Sequence, residues 1–304
     1  MSLSNRTIRW MQKHCDVSLA GKTVLITGGN SGVGFKTAET MLHLGAAVIL
    51  ACRDPARAAQ AAARLTQDFP GGSVRTVPLD LADFASIDAF AANLPDVDVL
   101  INNAGVFHRP GQKTRDGFPL VMGTNYLGVY RLCEAVLPRL LACGHDVTLI
   151  NTVSLVYKVA RIDYARFYRD DGSYARSKLC LARYTAALVQ RCAGTNVHVY
   201  MTHPGITITG IASHLFGRIY KIAYWMPFNS TEKSSLSAAW LLAHPLPEGS
   251  IVGPNKLFGG WGYPRRNRVL RRARQGTAEL VSFTEAEIRR AAAPASAVQK
   301  GRSA

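Results

Sequence analysis

Short apolar runs alternate with longer amphipathic ones along most of this chain. Leu19–Thr27 ends in Thr-Val-Leu-Ile-Thr, a mostly apolar run of strand length. A run apolar at successive positions is expected of a strand buried on both faces, as in a parallel sheet. A helical pattern follows from Phe35 to Leu44, then a second strand, Gly45–Cys52. Residues 55–68 read as helix, Val74–Leu79 as a third strand, 84–93 as helix and Val97–Ile101 as a fourth strand. A loop over 106–118 leads into a helix over 119–142, which Pro138 is expected to kink or shorten. Asp146–Val153 reads as a fifth strand, 173–193 as helix, Val197–Met201 as strand, 231–243 as helix and Gly253–Phe258 as a last strand. Between them, residues 206–228 form an apolar, aromatic loop or short-helix region.

Strands alternating with helices predict an α/β class: a single-domain Rossmann fold, a doubly wound parallel sheet flanked by helices. We divide the chain into a leader over 1–20, with a short amphipathic helix at 5–15, a Rossmann-fold domain over 21–261 and a basic tail over 262–304. Packing is the expected fate of the leader's Ile8, Trp10 and Met11.

The turn after the first strand carries the first chemistry. Thr27, Gly28, Asn30, Ser31, Gly32, Val33 and Gly34 stand between strand and helix. Glycines there let the backbone approach a pyrophosphate, and the helix start offers free N–H groups and a positive dipole end. A NAD-specific site usually has an acid at the end of the second strand. Here Cys52 and Arg53 follow that strand and Asp54 comes one place later. A guanidinium so placed can clamp a 2′-phosphate, so NADP(H) is favoured over NAD(H). The competing role for Asp54 is to open the next helix. Asp80 and Leu81 close the third strand, where an acid faces the ligand crevice or caps the following helix. Asn103, Ala104 and Gly105 follow the fourth strand, small enough for a nucleotide to lie against the backbone. Asn125 is a polar residue inside an otherwise apolar helix.

Tyr174 and Lys178 stand four residues apart, one turn of a helix. A lysine near a phenol favours the phenolate and is expected to lower the tyrosine pKa. Tyr157, Tyr164 and Tyr168 lie just upstream, and none has a lysine four places on.

Composition narrows the picture. A 48% hydrophobic content can fill a sizeable core. No apolar run reaches the length of a membrane span, and the N-terminus lacks the order of a signal peptide. Six cysteines without regular spacing read as reduced thiols in a cytoplasmic protein. His108 and His203 are isolated, so no metal is expected. The net charge of +16 is concentrated at the ends, with ten Lys/Arg against three Glu over 262–304. Such ends attract phosphate surfaces, which points to peripheral membrane contact more than to nucleic acid.

Taken in order, Thr27-Gly28-x-x-x-Gly32-x-Gly34, Asp80, Asn102-Asn103-Ala104-Gly105, Asn125, Ser154, Tyr174-x-x-x-Lys178 and Pro204-Gly205 resemble the short-chain dehydrogenase/reductases over roughly residues 21–260. Ala51-Cys52-Arg53-Asp54 and the lengthened Ser154-to-Tyr174 segment are similar to the retinol-dehydrogenase-like branch, and protochlorophyllide reductases look similar too. Many relatives have two serines where this chain has Val153-Ser154. The resemblance implies an NADP-dependent oxidoreductase that interconverts a carbonyl and an alcohol by hydride transfer. Tyr174 would exchange the proton, and Ser154 would hydrogen-bond the substrate oxygen. Lys178 would tune Tyr174 and hold the nicotinamide ribose, while Asn125 would hold a relay water. Pro204, Gly205 and Ile206 would join the cofactor site. A homodimer or tetramer built on the helices around 120–142 and 173–193 is also implied. Val106, Phe107, Leu155, Ile206, Phe216, Tyr220, Tyr224 and Trp225 suggest a bulky lipophilic substrate of retinoid, steroid or similar type. The alternative is a non-catalytic NADP-binding sensor or scaffold, against which the intact Ser-Tyr-Lys set argues.

Overall fold

The structure is a computed structural model and describes residues 3–207, 229–256 and 259–292. Eight strands form one sheet in the order β3-β2-β1-β4-β5-β6-β7-β8. They are β1 Thr23–Thr27, β2 Ala47–Cys52, β3 Val74–Pro78, β4 Val99–Asn102, β5 Val147–Thr152, β6 Val197–Thr202, β7 Ile251–Lys256 and β8 Trp261–Asn267. β1 to β7 are parallel, and β8 returns antiparallel along β7. The order reverses at β1/β4, the position where such sheets open a ligand crevice.

Alternate side chains of the central strands feed two cores. Val24 and Ile26 of β1 join Val48, Leu50, Val99 and Ile101 on one face. Leu25, Ile49, Leu100 and Leu149 point to the other. The first face is covered by α2 (Gly32–His43), α3 (Pro55–Asp68) and α7 (Thr231–Leu242). The second is covered by α4 (Phe84–Ala92), α5 (Gly128–Ala142) and α6 (Ser173–Arg191). Local chemistry sets the helix starts. Asp54 accepts the Arg57 N–H, Asp83 those of Ala85 and Ser86, and Ser230 that of Lys233.

Several expectations shift. Pro138 does not end its helix, which runs on to Ala142. The departure from α geometry comes earlier, as a π-turn over Gly123–Leu127 that leads into α5. The expected last strand over 253–258 is instead β7 from Ile251 to Lys256, and its final two positions lie outside the described residues. The boundary expected at 261/262 falls at the start of a strand. Behind it, α8 (Thr277–Ala292) buries Leu280 and Thr284 against α6 rather than standing free in solvent. Phe283 of α8 lies 4.8 Å from both Tyr164 and Phe167, ring centre to ring centre. The leader helix α1 (Asn5–His14) also packs, with Met11 buried beside Leu3 and Leu236. All six cysteines are free thiols. Among the described residues, no helix is long and apolar enough to cross a membrane.

Candidate active site

Because β1 to β7 are parallel, their C-terminal ends share one edge of the sheet. The candidate residues converge there: Thr27 ends β1, Arg53 follows β2, Asn103 follows β4, Ser154 follows β5, and Pro204 follows β6.

The nucleotide end is made mainly of backbone. Gly28 and Gly32 hold φ of 66° and 56°, the left-handed region that side chains resist. A Cβ on Gly34 would stand 2.5 Å from the Gly28 carbonyl and overlap the Asn103 amide. Thr27 Oγ1 accepts the N–H groups of Asn103 and Ala104, each at 3.0 Å. Asn103 Nδ2 returns a bond to the Thr27 carbonyl at 3.0 Å. The two turns are thereby stapled together. Ser31, exposed at the N-cap of α2, makes no side-chain capping bond, so the first N–H groups of the helix stay open. A cradle with no room for side chains and an uncapped helix start fits a dinucleotide pyrophosphate. Asp54 is committed to capping α3 through the Arg57 N–H at 3.1 Å, while Arg53 remains exposed beside it. Asp80 is half-buried and accepts the Ala82 N–H at 2.9 Å, leaving the cap of α4 to Asp83. Leu81 is buried, with its carbonyl pressed against Gly128.

The chemical end is made of side chains. Gly172, at φ 65°, turns the chain into α6, whose first turn carries Tyr174. Burial raises the Tyr174 pKa, and a hydrogen bond with Ser154 offsets part of the rise. This departs from the expectation that Lys178 lowers it. The reason is geometric: Lys178 Nζ sits 6.0 Å from the Tyr174 ring centre and donates to the Thr152 carbonyl at 2.9 Å. Lys178 is itself only 4% exposed, and burial pulls its pKa down to about 8.

Asn125 lies in the π-turn and is wholly buried. Its Oδ1 accepts the Val106 N–H at 2.7 Å, and its Nδ2 donates to the Val106 carbonyl at 2.8 Å and to Ser177 Oγ at 3.3 Å. Both ends of the amide are therefore engaged with protein. Gly105 makes the approach possible, since a Cβ there would lie 3.2 Å from Asn125 Oδ1 and 3.7 Å from Lys178 Nζ. Gly205, at φ 78°, could carry no Cβ within 2.6 Å of the Gly260 carbonyl, and Ile206 N–H donates to that same carbonyl at 2.9 Å. Val106, Phe107 and Leu155 are half-buried and Ile206 is exposed. Phe216, Tyr220, Tyr224 and Trp225 lie outside the described residues.

The upstream tyrosines have structural work. Tyr157 is buried and its hydroxyl accepts the Leu270 N–H at 3.5 Å. Tyr164 and Tyr168 pack around Phe167. His203 is 1% exposed, with neither ring nitrogen hydrogen-bonded, and burial lowers its pKa to about 3. His108 is exposed on the loop before α5.

Sequence reasoning missed Thr152, the Lys178 acceptor, and Ser177, which ties Asn125 to the Tyr174 carbonyl at 2.8 Å. It also missed a buried chain from Asn102 Nδ2 to Asn151 Oδ1 (2.8 Å) and on to Thr185 (2.9 Å). Asparagines paired at the C-terminal ends of two adjacent buried strands, Asn102 last in β4 and Asn151 next to last in β5, were the available signal.

Fold and site together define a dinucleotide-dependent oxidoreductase. The profile described as short chain dehydrogenase matches residues 22–218, and the chain belongs to that family. Retinol dehydrogenase 14 of Mus musculus is 39% identical over 253 residues, 75% of each chain. Retinol dehydrogenase 12 of Bos taurus is 33% identical over 284 residues, 88% of this chain and 89% of that one. Among solved structures, an uncharacterised protein from Mycobacterium paratuberculosis has a TM-score of 0.74 at 30% identity, covering 90% of this chain and 95% of its own. A Sphingobium yanoikuyae short-chain dehydrogenase in complex with NADPH has a TM-score of 0.57 at 26% identity, covering 71% and 82%. The chain therefore falls in the retinol-dehydrogenase-like branch, as an NAD(P)-dependent enzyme acting on an alcohol or carbonyl.

Proposed function

We propose that this enzyme uses NADP(H) to interconvert a bulky lipophilic carbonyl and its alcohol, with Tyr174 as the proton carrier. The observation that carries the reading is the meeting of Ser154, Tyr174 and buried Lys178 at the sheet edge that also holds the glycine cradle. Bound in that cradle, the nicotinamide cofactor supplies or accepts the hydride. Tyr174 gives its proton to the substrate oxygen in reduction and takes one from the hydroxyl in oxidation. Ser154 donates a hydrogen bond to the same oxygen as charge develops. One N–H of Lys178 is spent on Thr152 and the others are available for the nicotinamide ribose. With a pKa of about 8, Lys178 can also exchange a proton near neutral pH and reset Tyr174. Asn125 holds the Val106 turn against this centre.

Exposed Arg53 supports the preference for NADP(H). The half-buried apolar mouth at Phe107 and Leu155, and the names of the relatives, support a lipophilic substrate. We place the catalytic unit from the leader helix through Ala292. A homodimer or tetramer would have to use faces that α8 leaves open. Peripheral contact with an anionic membrane is supported by a run of cations and rings shared by α1, α7, β7 and β8. Lys256 Nζ lies 5.0 Å from the Trp261 ring, Lys233 Nζ lies 5.3 Å from Trp261 and from Tyr263, and Trp10 stacks on Tyr263 at 4.7 Å.

The test is Tyr174→Phe. Its kcat on a lipophilic aldehyde should fall by about 10³-fold, within the range for losing a general acid, while NADPH affinity by fluorescence titration changes little. Full activity in this variant would sink the reading.

A further inference from the structure

Residues 155–173 join Ser154 to Tyr174, so the path of this segment sets how the two side chains meet in their hydrogen bond. Its regular structure is two single 3-10 turns, Leu155–Lys158 and Tyr164–Arg166. Turns this short have no ladder to fix them, and what packs on them decides their place. Arg176 of α6 holds the later part, donating to the carbonyls of Phe167, Arg169 and Asp171 at 3.2, 2.8 and 2.8 Å. The rest is held from the far end of the chain. The Leu270 N–H donates to the Tyr157 hydroxyl at 3.5 Å, and Arg272 Nη1 donates to the Ala160 carbonyl at 3.1 Å. Arg183 of α6 pins the same turn through the Arg272 carbonyl at 2.8 Å. Phe283 sets its ring 4.8 Å from those of Tyr164 and Phe167, a separation at which rings are in contact. One residue on, Thr284 gives its own proton to the Leu280 carbonyl at 2.8 Å, which makes it the acceptor for the Tyr126 hydroxyl at 2.6 Å. The Tyr126 ring in turn meets Phe167 edge-on at 6.3 Å. Tyr157, Phe167, Ala273 and Leu280 are all buried in the joint so formed.

Resting on the proton-carrier reading of Tyr174, we propose that residues 270–284 are a strap that positions the catalytic pair, with Phe283 and Thr284 as its positioning residues. They hold the segment 155–173, and that segment holds Ser154 against Tyr174. Two routes lead from the strap to the proton carrier. One is backbone, from Phe167 through Gly172 into the first turn of α6. The other is side chain, from Thr284 to Tyr126 in the π-turn, to its neighbour Asn125, to Ser177 and so to the Tyr174 carbonyl. The glycine cradle stands on neither route, since its bonds join the turn after β1 to the turn after β4. The strap therefore acts on turnover and leaves cofactor binding alone. It also gives a task to a helix that lies behind the site, on the far side of the segment it holds.

The experiment uses the full-length chain with NADPH and decanal, and kcat is normalised to NADPH-binding sites so that unfolded chains do not count. Phe283→Ala removes the ring on which Tyr164 and Phe167 lean. Its kcat should fall by about 10²-fold, the scale of an ångström-sized misplacement at a catalytic group, with the NADPH dissociation constant unchanged. Hydrogen exchange of the NADPH complex, read by mass spectrometry, should speed up over 155–173 and stay at the wild-type rate over 28–34 and 103–105. Thr284→Val, which deprives the Tyr126 hydroxyl of its acceptor, should lower kcat in the same direction, and Thr284→Ser should restore it. Faster exchange over 155–173 with a wild-type kcat overturns the proposal, because the strap then holds the segment and not the chemistry. Unchanged exchange over 155–173 overturns it, and so does equal acceleration in the cradle. Tyr174→Phe, run alongside, separates the two readings. An inactive Tyr174→Phe beside a fully active Phe283→Ala leaves the proton carrier standing without the strap. A fully active Tyr174→Phe, or a wild type that does not reduce decanal, removes the underlying reading and this one with it.

Discussion

The sheet has two halves that build their parts of the site by different means. From β1 to β4 the site is backbone: glycines with forced φ, an uncapped helix start, and two turns stapled by Thr27. From β5 onward it is side chain: Ser154, Tyr174 and Lys178, tied in by hydrogen bonds to Thr152, Ser177 and Asn125. A backbone site tolerates almost no change in shape. A side-chain site tolerates changes in shape but carries electrostatic cost, because its groups are buried without full compensation.

The largest effect should come from violating the first kind. Gly34→Ala places a methyl against the Gly28 carbonyl and the Asn103 amide. Overpacking of this order costs about 3 kcal/mol, or roughly 10²-fold in affinity. NADPH titration of the variant should show at least that loss, and wild-type affinity would mean that the two turns are not rigidly stapled.

The second kind should respond in the opposite sense. Lys178 has its folded pKa lowered to about 8 from an ordinary 10.5 by burial. Between those values the unfolded chain holds the proton and the folded one does not, so stability rises with pH across that window. Below pH 8 the full penalty remains. Lys178→Met should therefore abolish turnover and yet raise stability at pH 7 by up to about 3 kcal/mol. The gain should fade as pH approaches 10.5. Thermal unfolding at several pH values checks this; a variant less stable than the wild type at every pH would show that the Thr152 bond outweighs the burial cost.

The smallest effect separates the halves at their rim. Arg53 is exposed, so Arg53→Ala should leave the fold untouched. It should reduce the preference for NADPH over NADH by about 10-fold, the scale of one charge-assisted contact. Steady-state kinetics with both cofactors measures it, and an unaltered preference would assign the 2′-phosphate to another residue.

The same contrast explains what could be read from the chain alone. The glycine turn, the parallel strands and the Tyr174–Lys178 pair are local patterns, and local patterns are visible in sequence. The role of Asp54 was ambiguous because capping and ribose binding call for the same residue type at nearly the same place. The rise in the Tyr174 pKa was not legible, since burial is a property of the assembled pocket and i,i+4 spacing does not say where an ammonium points. Nor was the π-turn at Gly123–Leu127, which inserts one residue into a helix whose composition is ordinary. Residues from 262 onward read as a charged tail because ten Lys/Arg stand there against three Glu, yet Leu280, Phe283 and Thr284 are enough to seat α8.

That last helix has a consequence for the order of events in folding. Tyr126, wholly buried in the π-turn beside Asn125, bonds Thr284 at 2.6 Å across 158 residues of chain. Long-range closures of this kind are made late, because the loop entropy must be met before the contact returns anything. While the chain is being synthesised, the glycine cradle is complete long before the lining behind Asn125 is sealed. The nascent protein thus has its glycine cradle laid down first, and closes the lining behind Asn125 only once α8 has emerged.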